Sequence, residues 1–281
     1  MNEQRSHLKE IMEKSRQQAK VITIASGKGG VGKTNIAANL AVNFAADNKR
    51  TLLIDADLSL GNLDVLLNIN SKYNISHFVS ARKSLEQITH TTPEGINVIC
   101  GASGLESLNH LPEFQKQRLL KELTELQKEK DIIILDSAAG ISQSVVAFCL
   151  ASDQTLVVTT PDPTAMTDAY AMIKVLVKNN YEGNISLVVN MADSKAEGKK
   201  VYRQIANVAS RFLDRDIYEA AILLKDNKLA SSVKMQKPVT LAYPKAHITY
   251  SLAALAAKLD SPVTPRNQQQ GFFKKVVDWI F

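Results

Sequence analysis

A chain of 281 residues with 45% hydrophobic and 22% charged side chains carries enough apolar material for one full-sized core, which excludes a disordered or collagen-like protein. No run approaches the roughly 18 to 20 apolar residues that span a bilayer, Met1 to Lys20 is too polar for a signal-peptide core, and the cysteines, Cys100 and Cys149, form no CxxC pair for a disulfide framework or a zinc site. The chain is therefore expected in the cytoplasm with both cysteines as small core residues, and its net charge of +6 permits attraction to nucleic acid or anionic lipid without choosing between them.

In chain order, Glu3 to Ala19 is charged and glutamine-rich with a thin apolar stripe of Leu8, Ile11 and Met12, and reads as an exposed arm over residues 1–20. The apolar run Val21 to Ala25 then enters Gly27-Lys28-Gly29-Gly30-Val31-Gly32-Lys33-Thr34, and a helical segment follows through Ile36, Ala37, Ala38 and Leu40. This is a phosphate-binding loop in its strand-to-helix setting. The glycines turn backbone N–H groups inward around phosphate oxygens, Lys33 brings charge to the β and γ phosphates, and the Thr34 hydroxyl ligates magnesium. The ligand it calls for is a nucleoside triphosphate.

Short β-branched runs recur at Thr51 to Ile54, Ile96 to Ile99, Ile132 to Leu135, Thr155 to Val158, Ile185 to Val189 and Ile217 to Ile222, with longer amphipathic segments between them. That rhythm predicts an α/β fold over residues 21–260, a mostly parallel twisted sheet with helices on both faces. Ligands of such sheets collect at the carboxyl ends of the strands, where the phosphate loop, Asp55, Asp136, Pro161 and Asn190 fall. Asp55 and Asp57 form a carboxylate pair after one strand, one able to serve the metal shell and the other to orient an attacking water; strand-end aspartates also act as caps and turn formers. Asp136 closes Ile132 to Leu135 and suits the outer shell of a magnesium ion, and Gly140 beyond it can offer its N–H to the γ phosphate. Lys195, Lys199, Lys200 and Arg203 share one side of a helix, a solvated face more commonly than a DNA-binding patch.

Residues 261–270, with Pro262, Pro265, Gln268, Gln269 and Gln270, have the composition of a linker. Beyond it, residues 271–281 set Phe272, Phe273, Val276, Val277 and Ile280 along one side of a helix, bordered by Lys274 and Lys275 and followed by Phe281, with Trp279 the sole tryptophan of the chain. A core helix is the ordinary interpretation of such a stripe, but its place beyond a polar linker and its richness in Phe and Trp favour an anionic membrane surface. A helix this short is marginal alone, so it either folds on lipid or lies docked on the core until released. Each lysine near an anionic surface contributes about 1 kcal/mol, so one copy binds weakly and two linked copies much better.

Lys28 to Thr34, KGGVGKT, resembles the deviant phosphate loop of the MinD/ParA ATPases. The resemblance implies a homodimer closed around magnesium ATP, with Lys28 reaching the partner's nucleotide and hydrolysis reopening the pair. It also implies that Asp57 positions the water, Asp55 supports the lysines and metal shell, Asp136 holds magnesium, and Asn190 reads the adenine edge. Thr159-Thr160-Pro161-Asp162-Pro163-Thr164-Ala165-Met166-Thr167-Asp168-Ala169-Tyr170-Ala171 and Gln236-Lys237-Pro238-Val239-Thr240-Leu241-Ala242-Tyr243-Pro244 are similar to the FlhG (YlxH, FleN) branch, which governs flagellar number and placement. Proteins of that branch stimulate an FlhF-type GTPase through a DQAxxLR-like element. The stretch Glu3 to Lys9 matches it at Gln4 and Leu8, with Arg5 where the family has a small alanine. The implied setting is the inner face of the cell membrane in the ATP state, with flagellar switch (C-ring) proteins as further partners and nucleic acid disfavoured. A cell-division MinD, a DNA-partition ATPase and a nucleotide-holding scaffold remain the alternatives.

Overall fold

The computed structural model describes residues 19–57, 63–101, 113–260 and 271–280. The seven predicted strands form β1 (Lys20–Ser26), β2 (Thr51–Ala56), β4 (Asn97–Ile99), β5 (Ile132–Ala139), β6 (Gln154–Thr159), β7 (Asn184–Ala192) and β8 (Tyr218–Leu224). An eighth, β3 (Thr89–Thr91), completes the sheet, whose order is β3-β4-β2-β5-β1-β6-β7-β8. Every pairing is parallel except β3 on β4. No apolar pattern announces β3, because a Thr-His-Thr edge segment has no buried face.

β2 and β6 are buried along their whole length, as continuous apolar strands must be when helices cover both faces. One face is covered by α1 (Lys33–Ala46), whose Ile36, Leu40 and Phe44 join Ile24, Leu53 and Ile134 in the core. The opposite face carries α2 (Glu113–Lys128) and α3 (Gln143–Ala151) over the centre, and α4 (Pro163–Lys178) and α5 (Lys195–Leu213) over β6 and β7. Helix α6 (His247–Asp260) joins α1 on the first face. Lys195, Lys199, Lys200 and Arg203 are all exposed on α5, while its Val201, Ile205 and Ala209 are buried. Cys100 and Cys149 are buried free thiols, and burial pushes both up to about 12, which leaves them inert.

The C-terminal helix α7 (Phe272–Ile280) packs against α2 and α3. Phe272, Phe273 and Val276 are buried in one cluster with Leu123, Ile133 and Phe148, so part of the apolar stripe read as membrane-directed lies inside the protein here. Phe272 and Phe273 meet edge to face at 5.0 Å. Lys274 remains exposed. Beneath the start of the helix, both amide atoms of Gln127 are buried without a hydrogen-bond partner, and its Oε1 lies 3.4 Å from where a Cβ on Gly271 would sit. Such an orphaned amide costs about 1–3 kcal/mol. Among the described residues no helix is long and apolar enough to cross a membrane. Gln4 and Leu8, the 261–270 segment and Phe281 lie outside the described residues, as do the side chains of Val277, Trp279 and Ile280.

Candidate active site

The central strands bring the expected residues to one edge. β1 ends at Ser26, residues 27–32 form the loop, and α1 begins at Lys33 with Gly32 as its N-cap. That cap makes no side-chain hydrogen bond, leaving N–H groups of the first turn directed at whatever enters the loop. Gly32 has φ of +94°, and a Cβ there would stand 2.4 Å from the Asn190 Nδ2. A Cβ on Gly27 would stand 2.3 Å from the Asp168 carbonyl oxygen on α4. The loop therefore needs glycine at these two places for conformation and for close approach.

Lys33 is nearly buried, 8% exposed, and its Nζ donates to the Ser26 Oγ at 2.8 Å. Burial pulls its amine below the usual lysine value, and the charges of Asp136 and then Asp57 pull it back. Asp55 and Asp136 are direct neighbours across β2 and β5, because parallel pairing sets them in register. Both are buried. Asp55 accepts the Asp57 N–H at 3.1 Å and the Leu63 N–H at 3.5 Å. Burial nevertheless pushes its carboxyl up to about 6. Burial likewise pushes Asp136 up to about 7, opposed by a hydrogen bond from Thr34 and reinforced by Asp55. The Asp136 Oδ1 has no partner.

An orphaned buried carboxylate oxygen beside a second carboxylate and a threonine hydroxyl is the chemistry of a divalent-cation site. Thr34, Asp55 and Asp136 would hold the ion, with Asp57 at the border. Among the described residues no group of three or more His, Cys, Asp or Glu side chains could hold a metal alone. The expected set of Thr34, Asp55, Asp57 and Asp136 is thus not a closed protein cage, in keeping with magnesium's habit of retaining water and substrate phosphate. When bound, magnesium neutralises phosphate charge and favours the ionised form of these carboxylates.

Three expected residues occupy places that the sequence does not reveal. The resemblance assigns Asn190 to the adenine edge, but it is 2% exposed and its Nδ2 donates to the Val31 carbonyl at 2.8 Å, so it braces the phosphate loop from beneath. That bond uses one of the two Nδ2 donors and leaves Oδ1 and the second N–H for other partners. Gly140, expected to offer its N–H to the γ phosphate, donates it to the Ser26 carbonyl at 2.9 Å. Lys28 turns to α4, where its Nζ lies 3.2 Å from the Asp162 Oδ2 and also donates to the Thr164 Oγ1.

The raised carboxyls have a consequence for stability. Their folded values lie above the unfolded value near 4, so the folded protein keeps protons that the unfolded chain releases. Their contribution is complete below about pH 4 and is lost as pH rises through about 6 for Asp55 and about 7 for Asp136. The urea midpoint of nucleotide-free protein should accordingly lose a component across this window, and Asp136→Asn should flatten the decline. An unaltered slope in that variant would contradict the assignment.

A glycine loop at a helix start, with a buried lysine and carboxylates on adjacent strands, defines a P-loop nucleoside triphosphatase that works with magnesium. The sequence matches the AAA domain family over residues 19–189. It is 35% identical over 260 residues to the antiactivator FleN of Pseudomonas aeruginosa, covering 92% of this chain and 93% of that protein. It is 32% identical over 268 residues to the flagellum site-determining protein YlxH of Helicobacter pylori, covering 93% and 90%. The fold is that of the septum site-determining protein MinD complexed with Mg-ADP from Pyrococcus horikoshii, with a TM-score of 0.69 at 21% identity over 86% of this chain and 96% of that one. The chain belongs to the FleN/YlxH family of MinD-like ATPases. Its reaction is hydrolysis of ATP to ADP and phosphate.

Proposed function

We propose that the protein is a membrane-associating switch that sets flagellar number or placement. Two copies close around two magnesium ATP molecules, each Lys28 crossing to the other copy's nucleotide, and hydrolysis with Asp57 orienting the water reopens them. In the closed state α7 leaves the core and lies on the anionic inner face of the membrane. An FlhF-like GTPase, engaged through Gln4 and Leu8, and flagellar switch proteins read the state.

The observation that carries this reading is the docking of α7. Its buried residues, Phe272, Phe273 and Val276, belong to the face that lipid would take, so occupancy of core and membrane are mutually exclusive. The orphaned Gln127 amide opposes docking, since release returns it to water. The flagellar assignment draws on the similarity to FleN and YlxH.

Co-sedimentation with vesicles containing anionic lipid tests the proposal. The full chain should pellet with ATP and stay in the supernatant with ADP, and a chain ending at Asp260 should stay soluble in both. Gln127→Leu should retain the helix on the core and lower pelleting by about 5-fold or more, the effect of removing a 1–3 kcal/mol penalty. Equal pelleting of the shortened and full chains would overturn the assignment of α7. Stimulation of a GTPase by the 1–20 peptide, lost on Gln4→Ala, tests the arm.

A further inference from the structure

Lys28 and the Thr159 to Ala171 block are more than 130 positions apart in sequence, yet they meet at the lysine amine. Asp162 is the N-cap of α4. Its Oδ1 accepts the Thr164 N–H at 2.8 Å, the Thr164 hydroxyl at 2.7 Å and the Ala165 N–H at 3.3 Å. The other carboxylate oxygen, Oδ2, faces Lys28 at 3.2 Å. Hydrogen bonds from Thr164, then Lys28, hold the carboxyl well below the usual range, so it is ionised at any working pH. The α4 end is itself fixed against the loop, because Gly27 packs on the Asp168 backbone. Asp162 thus cannot follow Lys28; the lysine must leave it.

We propose that Asp162 and Thr164 form an intrachain holder for Lys28, one that the phosphates of a second copy's nucleotide must outcompete before two copies can close. The inference rests on the reading that Lys28 crosses to the other copy. An ammonium has three N–H donors, and those given to Asp162 and Thr164 are withheld from phosphate. Departure of Lys28 leaves no orphan behind, since the helix cap still satisfies Oδ1 and solvent reaches the rest, with both partners of the pair substantially exposed. The contact is therefore reversible. Exposed ion pairs shift an equilibrium by up to about 5-fold, and two holders open per dimer, so together they raise the dimer dissociation constant by about 2- to 25-fold.

Asp162→Asn separates the holder from the cap, because asparagine caps a helix as well as aspartate does while carrying no charge for Lys28. Dimerisation with magnesium and a non-hydrolysable ATP analogue, followed by analytical ultracentrifugation, should occur at about 2- to 25-fold lower protein concentration in Asp162→Asn, with a melting temperature no more than about 4 °C below wild type. The advantage over wild type should shrink in high salt, which screens the exposed pair. An unchanged or higher dissociation constant would overturn the holder. Lys28→Ala in the same experiment tests the underlying reading separately. If it dimerises like wild type, the crossing role of Lys28 fails; if it stays monomeric while Asp162→Asn matches wild type, the crossing role stands and the holder alone is wrong.

Discussion

Lys33→Ala is expected to abolish ATP uptake and ATP-dependent dimerisation together. Lys33 is 8% exposed, and its amine is aimed by the Ser26 hydroxyl and stands within the field of Asp136 and Asp57. Solvent competes weakly for a charge at that depth, so its interaction with an entering triphosphate is strong. Removing one partner of a buried, hydrogen-bonded charge pair costs about 2–5 kcal/mol, which corresponds to a loss of affinity of about 30- to several thousand-fold. Calorimetric titration with magnesium ATP reads the first effect and sedimentation the second. Wild-type uptake by Lys33→Ala would remove the loop as the nucleotide site. Lys28→Ala provides the contrast, because its amine sits outside the loop on α4. That variant should keep single-copy ATP binding and lose only closure.

The difference between these lysines shows which parts of the site the sequence can reveal. The loop, the strand before it and the helix after it are contiguous, so their chemistry is written in one stretch from Val21 to Leu40. Asp55 and Asp136 are also legible, each as a carboxylate closing an apolar run, and parallel register then makes them neighbours. What no local pattern records is the partner of a side chain that crosses the sheet. Asn190 braces Val31 across 159 positions and Lys28 meets Asp162 across 134, and in both cases the contact depends on β1, β6 and β7 lying side by side. The helical period of α7 identifies its apolar side but not what covers it. Leu123, Ile133 and Phe148 come from three separate elements, and only the assembled sheet creates their groove.

Asp57→Ala is expected to leave magnesium ATP binding intact, accumulate the closed dimer and lower turnover by about 10²- to 10⁴-fold, the range for losing a positioned acid-base group. The proposed mechanism gives the two carboxylates after β2 different work. Asp55 is 1% exposed and accepts the Asp57 and Leu63 N–H groups, one on each oxygen, which shapes the turn and leaves further lone pairs for the metal shell. Asp57 is held through its own N–H, is only half-buried and lies near enough to Lys33 and Asp136 to influence their protonation. It is therefore the carboxylate better placed to meet a water entering from solvent, orient it toward the terminal phosphorus and receive its proton as the new P–O bond forms and the bond to ADP breaks. Asp55→Ala should fail differently. Losing its carboxylate orphans the N–H of Leu63, a fully buried residue, at a cost of about 1–3 kcal/mol. A lower melting temperature in Asp55→Ala, beside a stable but idle dimer in Asp57→Ala, would separate the shaping carboxylate from the reacting one. A monomeric Asp57→Ala at saturating ATP, or one with wild-type phosphate release, would reverse that division.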